Sequence, residues 1–552
     1  MTTIRDMPTD PASHGLERRH WDAIVIGTGM GGATIGLALA QAGKRVLFCE
    51  RGRYRRIPGG ADSGAYPEEL SSDGRVPSAE ELLRAGRFES SVIDASNQRE
   101  RRFVPFVGCG GGGSTALYGM ALERFFPVDF EPRAAHPDAT ESSLEEVWPI
   151  SYGRLVPYYA AAESLFRIRG GADALRPIDA VPFGPMPPPA LTPGGEELFA
   201  LLQARGMQPY RLPQACEFVS GCQGCQGFLC PLECKNDSER ICLTPAIRDE
   251  GAEIVDECEV LQLVADARRI SEVVCHRHGR ELRFRGTIVV VAAGALQTPA
   301  LLLRSRSGDW PDGLANGSGL VGRNLMRHFI DLHCVETNAA RRPGFDNRFK
   351  EIGCNAFYQS AHGKLGTLQS FGRLPPAQSL FEALRDDANH GPLRWLARGL
   401  PLVRPLLMPT LHGLVETSTV LASIVEDLPY ADNRVTPLPG SHDRLRIDYR
   451  IRPREAARIE QSRRLVQAAL SPHRRRFIAQ AENNQRIAHA CGTCRFGDDP
   501  RTSVLDSGNR AHGIDNLYVV DASFFPSSGG TNPALTIAAN ALRVAENIVA
   551  AV

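Results

Sequence analysis

Two residues near the C-terminus are of types suited to acid–base work. They are His489, in His489-Ala-Cys-Gly-Thr493, and Asn532, in Gly529-Gly-Thr-Asn-Pro533. A neutral imidazole takes a proton near pH 7, and a neutral amide beside it can hold an oxygen on which charge develops. Sulfur is the second concentration of chemistry. Cys216, Cys222, Cys225, Cys230, Cys234 and Cys242 put six of the 14 cysteines into 27 residues, with the core spacing Cys-x2-Cys-x4-Cys-x3-Cys. Thiolates at such spacing suit zinc or an iron–sulfur cluster; free thiols in a cysteine-rich loop are the other reading. Disulfides are disfavoured, because residues 1–20 are polar with no apolar signal segment and the cytosol keeps thiols reduced.

These groups need a scaffold, and the N-terminal end supplies its clearest piece. Asp22-Ala-Ile-Val-Ile-Gly-Thr-Gly-Met-Gly-Gly32 is an apolar strand running into glycines 27, 29 and 32. Gly27 allows the turn, Gly29 lets backbone approach a pyrophosphate, and Gly32 lets the following helix pack on the strand. The helix is expected over 34–43 and a second strand over 45–50. Glu50 then lies where an acid bonds ribose hydroxyls. Strand, glycines, helix, strand and acid in register predict dinucleotide binding, without separating NAD from FAD. Val107-Gly-Cys-Gly-Gly-Gly-Gly-Ser114 is a second glycine-rich stretch. Its backbone entropy cost implies close approach to something, read here as a ligand.

At 552 residues the chain exceeds one core, so two domains are expected. The formal net charge is zero, which excludes an electrostatic case for nucleic acid. Lysine occurs only at 44, 235, 350 and 364 among 63 basic residues, a bias read as genome base composition. The apolar stretch 288–303 is broken by Gly294, Gln297 and Pro299, so no transmembrane span is expected and the protein is expected to be cytoplasmic. Residues 62–97 read as a long polar excursion, and 186–193 as a proline-dense linker. A helix is expected from Tyr152 through Glu163, a buried strand over 287–294, a helix over 298–303 and a final helix over 534–552. The proline-punctuated segment 395–411 reads as a buried irregular insertion, with an interfacial or substrate-entrance segment as the alternative.

The fingerprint at 27–32, the glycines of 108–119, Val291-Ala-Ala-Gly-Ala295, Val321-Gly-Arg-Asn-Leu-Met-Arg-His328 and the C-terminal block together resemble glucose–methanol–choline (GMC) oxidoreductases. The resemblance implies an α/β plus α+β fold. Its FAD-binding, Rossmann-like domain is made of discontinuous segments (18–165, 240–330 and 485–552). A substrate-binding cap based on an antiparallel sheet takes 166–239 and 331–484. It implies FAD-dependent oxidation of a small-molecule alcohol to an aldehyde or ketone, with His489 as general base, Asn532 as its partner and hydride passing to flavin N5. Oxygen, or another external acceptor, takes the electrons.

The implied cofactor contacts are Gly27, Gly29, Met30, Gly31, Gly32, Glu50, Arg51, Gly112, Gly113, Ser114, Val260, Ala293, Asp521, Ala522, Asn532 and Pro533. Some relatives attach FAD through a histidine within the second glycine stretch; 108–119 has none, so the FAD is expected to be non-covalent. Some GMC-related sugar dehydrogenases carry a comparable cysteine run holding an iron–sulfur cluster, which makes Cys222, Cys225, Cys230 and Cys234 candidate ligands here. The alternatives are a GMC-fold lyase or decarboxylase and a flavin/iron–sulfur electron-transfer subunit.

Overall fold

The structure, a computed structural model, describes residues 15–54, 64–70, 77–96, 100–176, 186–342, 345–390, 399–441 and 444–551. Its first sheet grows from the apolar run at the N-terminus. His20–Ile26 is a strand with Ile24 and Val25 wholly buried, as a strand covered on both faces must be. It pairs in parallel with Val46–Cys49 on one side and with the C-terminal half of Arg280–Val291 on the other. Glu253–Val255 and Leu517–Val519 add the outer parallel strands. The N-terminal half of Arg280–Val291 turns instead into an antiparallel meander with Ile270–Arg277 and Cys258–Ala265. Seven strands drawn from sequence positions 20 to 519 thus form one sheet.

Helices Met30–Gln41, Tyr152–Leu165 and Ala534–Ala551 pack together beside this sheet. Ala534–Ala551 is the one described helix long and apolar enough to cross a membrane, and 61% of it is buried within the protein. Each fully buried Val, Leu or Ile of this core contributes roughly 1.5–3 kcal/mol of transfer free energy. The C-terminal ends of the parallel strands gather Gly27, Glu50, Ala292 and Asp521 at one edge, where ligands of open α/β sheets bind.

A second sheet of six antiparallel strands runs in the order Arg475–Ile478, Phe329–Val335, Thr419–Val425, Leu368–Ser370, Ile352–Cys354 and Tyr210–Arg211. Helices Pro193–Ala204 and Pro453–Leu470 cover one face through a shared core that includes Leu198, Val335, Leu421 and Val466. Its other face presents Ile330, Leu332, Ala422 and Ile424 to a large cavity. The strand Phe329–Val335 crosses the expected domain boundary at 330. A smaller four-stranded sheet joins Val92–Asp94 and Arg101–Phe103 to Arg434–Pro437 and Leu445–Asp448.

Two local expectations change. The excursion over 62–97 contains the short helices Pro67–Leu70 and Ala79–Arg84 and the strand Val92–Asp94; positions 62–63, 71–76 and 97 lie outside the described residues. The segment expected to be a buried irregular insertion is instead a helix, Leu400–Thr417, despite Pro405 and Pro409 inside it. Most of it is exposed, with Leu402 at 83% and Leu406 at 76%. Residues 395–398 lie outside the described residues.

Candidate active site

One continuous cavity of about 1520 Å³ lies between the parallel-strand edge and the open face of the six-stranded sheet. That exceeds the roughly 300–1,000 Å³ of an ordinary small-molecule pocket, leaving room for a dinucleotide and a second molecule. Of the cofactor contacts expected from sequence, Gly27, Gly29, Met30, Gly31, Glu50, Arg51, Gly113, Ser114, Val260, Ala293, Asp521, Ala522, Asn532 and Pro533 line it. Gly32 and Gly112 do not.

The glycines divide by what they touch. A Cβ on Gly32 would land on the Gly27 carbonyl, and one on Gly31 would land on the Val520 carbonyl, so these two serve helix–strand packing. A Cβ on Gly29 would meet nothing within 4 Å. Gly29 also caps Met30–Gln41 with no side-chain hydrogen bond, so the helix presents uncapped backbone N–H groups and its positive dipole end to the cavity. Such an end is suited to phosphate. The second glycine stretch packs against the first: a Cβ on Gly113 would lie 3.0 Å from Gly29 Cα, and one on Gly111 would strike the Glu239 carboxylate. Its glycines therefore answer to neighbouring protein as well as to the cavity.

Glu50 is buried, and its carboxylate accepts from the Thr28 N–H (3.0 Å) and hydroxyl (2.6 Å) and from the Gly52 and Gly110 N–H groups (3.0 Å each). All four lone-pair positions are engaged, so in this arrangement Glu50 staples the two glycine loops together. Burial raises its pKa against those hydrogen bonds. Asp521 is likewise buried and accepts from the N–H groups of Gly294 and Ser523, at 2.9 Å each, and from Thr298 Oγ1. It ties the end of Leu517–Val519 to the start of the helix Gly294–Arg304.

The reaction end is built from distant segments. His489 has φ +57°, a left-handed conformation costly for a non-glycine residue. Its Nδ1 lies 2.8 Å from His328 Nδ1, while His328 Nε2 faces the carbonyls of Ser528 (3.2 Å) and Gly529 (3.0 Å). Carbonyls only accept, so the network assigns the His328 proton to Nε2 and leaves its Nδ1 a lone pair. His489 Nδ1 must then donate, and His489 Nε2 keeps the lone pair on a side chain that lines the cavity. Burial, and after it the charges of His328 and Lys350, hold His489 well below its ordinary pKa. Burial pushes His328 down to about 4. At neutral pH both rings are uncharged, the state a base needs.

Asn532 is 8% exposed and its Oδ1 has no hydrogen-bond partner among the described residues. The loop carrying it is fixed from several sides. Trp148 Nε1 donates to Ser527 Oγ (2.7 Å), Gly530 N–H donates to Tyr358 OH (2.9 Å), and Thr531 Oγ1 donates to Glu123 Oε2 (3.0 Å). Pro533 directly precedes the final helix, so its fixed φ aims the loop into that helix.

The cysteines also converge. Cys216, Cys222 and Cys234 place their sulfurs within 4.8 Å of one another. Cys216 lies 3.8 Å from Cys222, Cys222 lies 3.4 Å from Cys234, and Cys234 lies 3.5 Å from Cys230. Cys225 reaches Cys230 by a side-chain hydrogen bond. The compact trio therefore contains Cys216, which the expected ligand set omitted. Cys242 stands apart, 3.7 Å from Thr34 Oγ1.

Two residues of the site carried no assignment from sequence. His328 ends the Asn324-Leu-Met-Arg-His328 segment, whose signal was a motif without a stated role. Lys350 lines the cavity, and its signal was rarity.

Two stretches, residues 202–330 and 429–541, match the family models described as GMC oxidoreductase. The chain is 30% identical to paromamine 6'-oxidase from Streptomyces fradiae, covering 96% of this chain and 91% of that one. It is 26% identical to 2-methyl-1,2-propanediol dehydrogenase from Mycolicibacterium austroafricanum, covering 96% and 95%. Among solved structures, pyridoxine 4-oxidase from Mesorbium loti superposes with a TM-score of 0.63 at 19% identity, covering 96% of this chain and 99% of that one. With the parallel-strand edge, the roofed cavity and the C-terminal histidine, these matches show that the chain belongs to the GMC oxidoreductase family and is an oxidoreductase acting on CH–OH groups.

Proposed function

We propose that this enzyme binds FAD non-covalently and oxidises an alcohol to an aldehyde or ketone, with His489 as the general base. The observation that supports this most strongly is the His328–His489 pair, which leaves a neutral lone-pair nitrogen on the cavity wall. FAD, when bound, supplies the acceptor for the hydride leaving the carbinol carbon. Gly29, Met30 and the uncapped helix end would hold its phosphates, and Val260, on the cavity wall, would contact its adenine half. His489 Nε2 takes the hydroxyl proton. His328 keeps His489 in the tautomer that can do so, and its own Nε2–H is anchored on the Ser528 and Gly529 carbonyls. Asn532 offers an amide group to the alcohol oxygen as its negative charge grows. The apolar sheet face above excludes water.

Purified protein should be yellow and release its flavin on acid or heat denaturation, and an alcohol should bleach it anaerobically. Flavin retained on the denatured chain would overturn the non-covalent reading. A flavin that no alcohol reduces would favour the lyase or electron-transfer readings. The acceptor of the electrons, oxygen or an external carrier, is separable by oxygen uptake.

The thiol group supports a second element of the proposal, a bound thiophilic metal, zinc or iron–sulfur, with Cys222, Cys225, Cys230 and Cys234 as ligands and Cys216 beside them. Thiolates about 2.3 Å from a single zinc stand roughly 3.8 Å apart, close to the separations within the Cys216–Cys222–Cys234 trio. Elemental analysis of anaerobically purified protein with thiol counting decides it; freely titrating thiols without stoichiometric metal would reduce the group to a cysteine-rich loop. A cytoplasmic location is part of the same proposal.

A further inference from the structure

The roof of the cavity is apolar except at one corner, and that corner carries a cation. Lys350 packs along Phe371, with its Nζ 5.6 Å from the ring centroid, and no carboxylate among the described residues lies within ion-pair distance. Three arginines of the cavity wall are neutralised: Arg51 by Glu89, Arg87 by Glu68 and Arg385 by Glu382. Lys350 and His489 line the same cavity; burial alone lowers the Lys350 pKa, to about 8, and its charge helps to lower that of His489. A desolvated ammonium without a counter-ion is costly unless something pairs with it.

Two amides share the corner. Gln226 Oε1 and Lys350 Nζ both crowd the point where Gly119 would carry a Cβ, with Nζ 2.6 Å from it; the missing side chain makes room for both. Gln369, 2% exposed, lies two residues from Phe371, on the same side of its strand and on the cavity wall. The Oε1 atoms of Gln226 and Gln369 have no hydrogen-bond partner among the described residues. Buried acceptors left unpaired are exceptions that a ligand can explain.

We propose that this corner is the specificity site for a polyhydroxylated carboxylic acid. Lys350 pairs with the substrate carboxylate, and Gln226 and Gln369 accept hydrogen bonds from its hydroxyls. The inference rests on the alcohol-oxidation reading above and adds to it the charge of the substrate. A neutral polyol would leave the ammonium unpaired, and an amine-bearing alcohol would oppose it.

The test compares anaerobic flavin reduction by D-gluconate, D-glucitol and D-glucamine, which differ chiefly in charge at one end, in the holoenzyme and in Lys350→Met and Lys350→Arg. The wild type should favour gluconate in kcat/KM, and Lys350→Met should shrink that preference roughly tenfold to a hundredfold, the worth of one charge-assisted hydrogen bond. Lys350→Arg should retain part of it. Equal or better reduction by glucitol or glucamine in the wild type overturns the proposal, as does a preference that survives Lys350→Met. A second measurement does not depend on turnover: titration with acetate should perturb the flavin absorbance saturably in wild type and not in Lys350→Met. Perturbation absent from both, or equal in both, also overturns it. If acetate binding depends on Lys350 while no alcohol reduces the flavin, the anion site stands and the alcohol-oxidation reading falls.

Discussion

The dinucleotide end and the reaction end of the cavity are built on different principles. At the dinucleotide end the work falls to backbone: an uncapped helix terminus, two glycine loops in contact, and two acids, Glu50 and Asp521, whose oxygens are engaged by protein N–H and O–H groups. At the reaction end it falls to side chains brought from positions 328, 350, 489 and 532, with two histidines kept neutral by burial. The first arrangement tolerates changes of side chain but not of backbone volume. The second depends on particular functional groups and on their protonation.

The most direct way to break the reaction end is to remove the proposed base. His489→Ala should lower the rate of flavin reduction by alcohol by about 10² to 10⁴-fold, the usual worth of a general base, while flavin stays bound. Asn532→Ala should lose less. His328→Phe should also slow reduction, because it removes the acceptor that fixes the His489 tautomer, and His328→Asn should restore part of the rate. Stopped-flow reduction of each variant checks the order, and an unchanged rate in His489→Ala would refute the assignment.

The same neutrality predicts sensitivity to acid. His328 and His333 are buried, with pKa values lowered by burial to about 4 and about 3 from 6.5. Between those values and 6.5 the unfolded chain binds protons that the folded chain does not, so stability is present above pH 6.5 and declines as pH falls toward 4. By linkage the penalty reaches about 3 kcal/mol for His328 and about 5 kcal/mol for His333. The melting temperature should therefore drop across this window, and His333→Phe should flatten the slope. A flat profile in wild type would mean that these rings are solvated.

The contrast between the two ends also decides what could be read from the chain. The N-terminal fingerprint was legible because strand, turn, helix and acid lie within about thirty residues and each glycine has a local steric reason. His489 and Asn532 were legible through flanking motifs. The His328–His489 contact spans 161 positions, and no local periodicity encodes it. Lysine rarity was visible but read as base composition, whereas Lys235 and Lys364 sit inside the protein and Lys350 faces the cavity. Lys235 and Lys364 are almost wholly buried, and Lys364 bridges Asp129 and Glu426. The helix Leu400–Thr417 was misread because two internal prolines outweigh propensity in any local account.

A paired substitution sharpens the backbone side of the comparison. Gly32→Ala forces a methyl onto the Gly27 carbonyl with Ala292 Cβ 3.0 Å away, and should cost about 1–3 kcal/mol of stability through overpacking. Gly29→Ala meets no protein atom within 4 Å. It should melt like wild type when stripped of flavin, yet bind FAD roughly tenfold more weakly, because the methyl intrudes where phosphate approaches a backbone N–H. Equal loss of apo-protein stability in both variants would erase the distinction between packing and ligand glycines.

The smallest effect is expected where the molecule belongs to neither end. Leu402 and Leu406 lie on the exposed helix Leu400–Thr417, whose Leu411 and Leu414 reach the cavity wall. Replacing both with glutamine removes apolar surface that the monomer never buries and keeps good helix formers in place. Stability should change by no more than about 0.5 kcal/mol, the range of ordinary surface substitutions, and flavin reduction by alcohol should be unaffected. Leu414→Gln, at a 9% exposed position packed against Val415 and Val420, should cost several times more by burying an unpaired amide. If the surface pair proved as damaging as Leu414→Gln, those leucines would have to be covered by something in solution. Comparing melting temperatures across a wide range of protein concentration would then show whether a second copy covers them, since self-association makes the melting point rise with concentration.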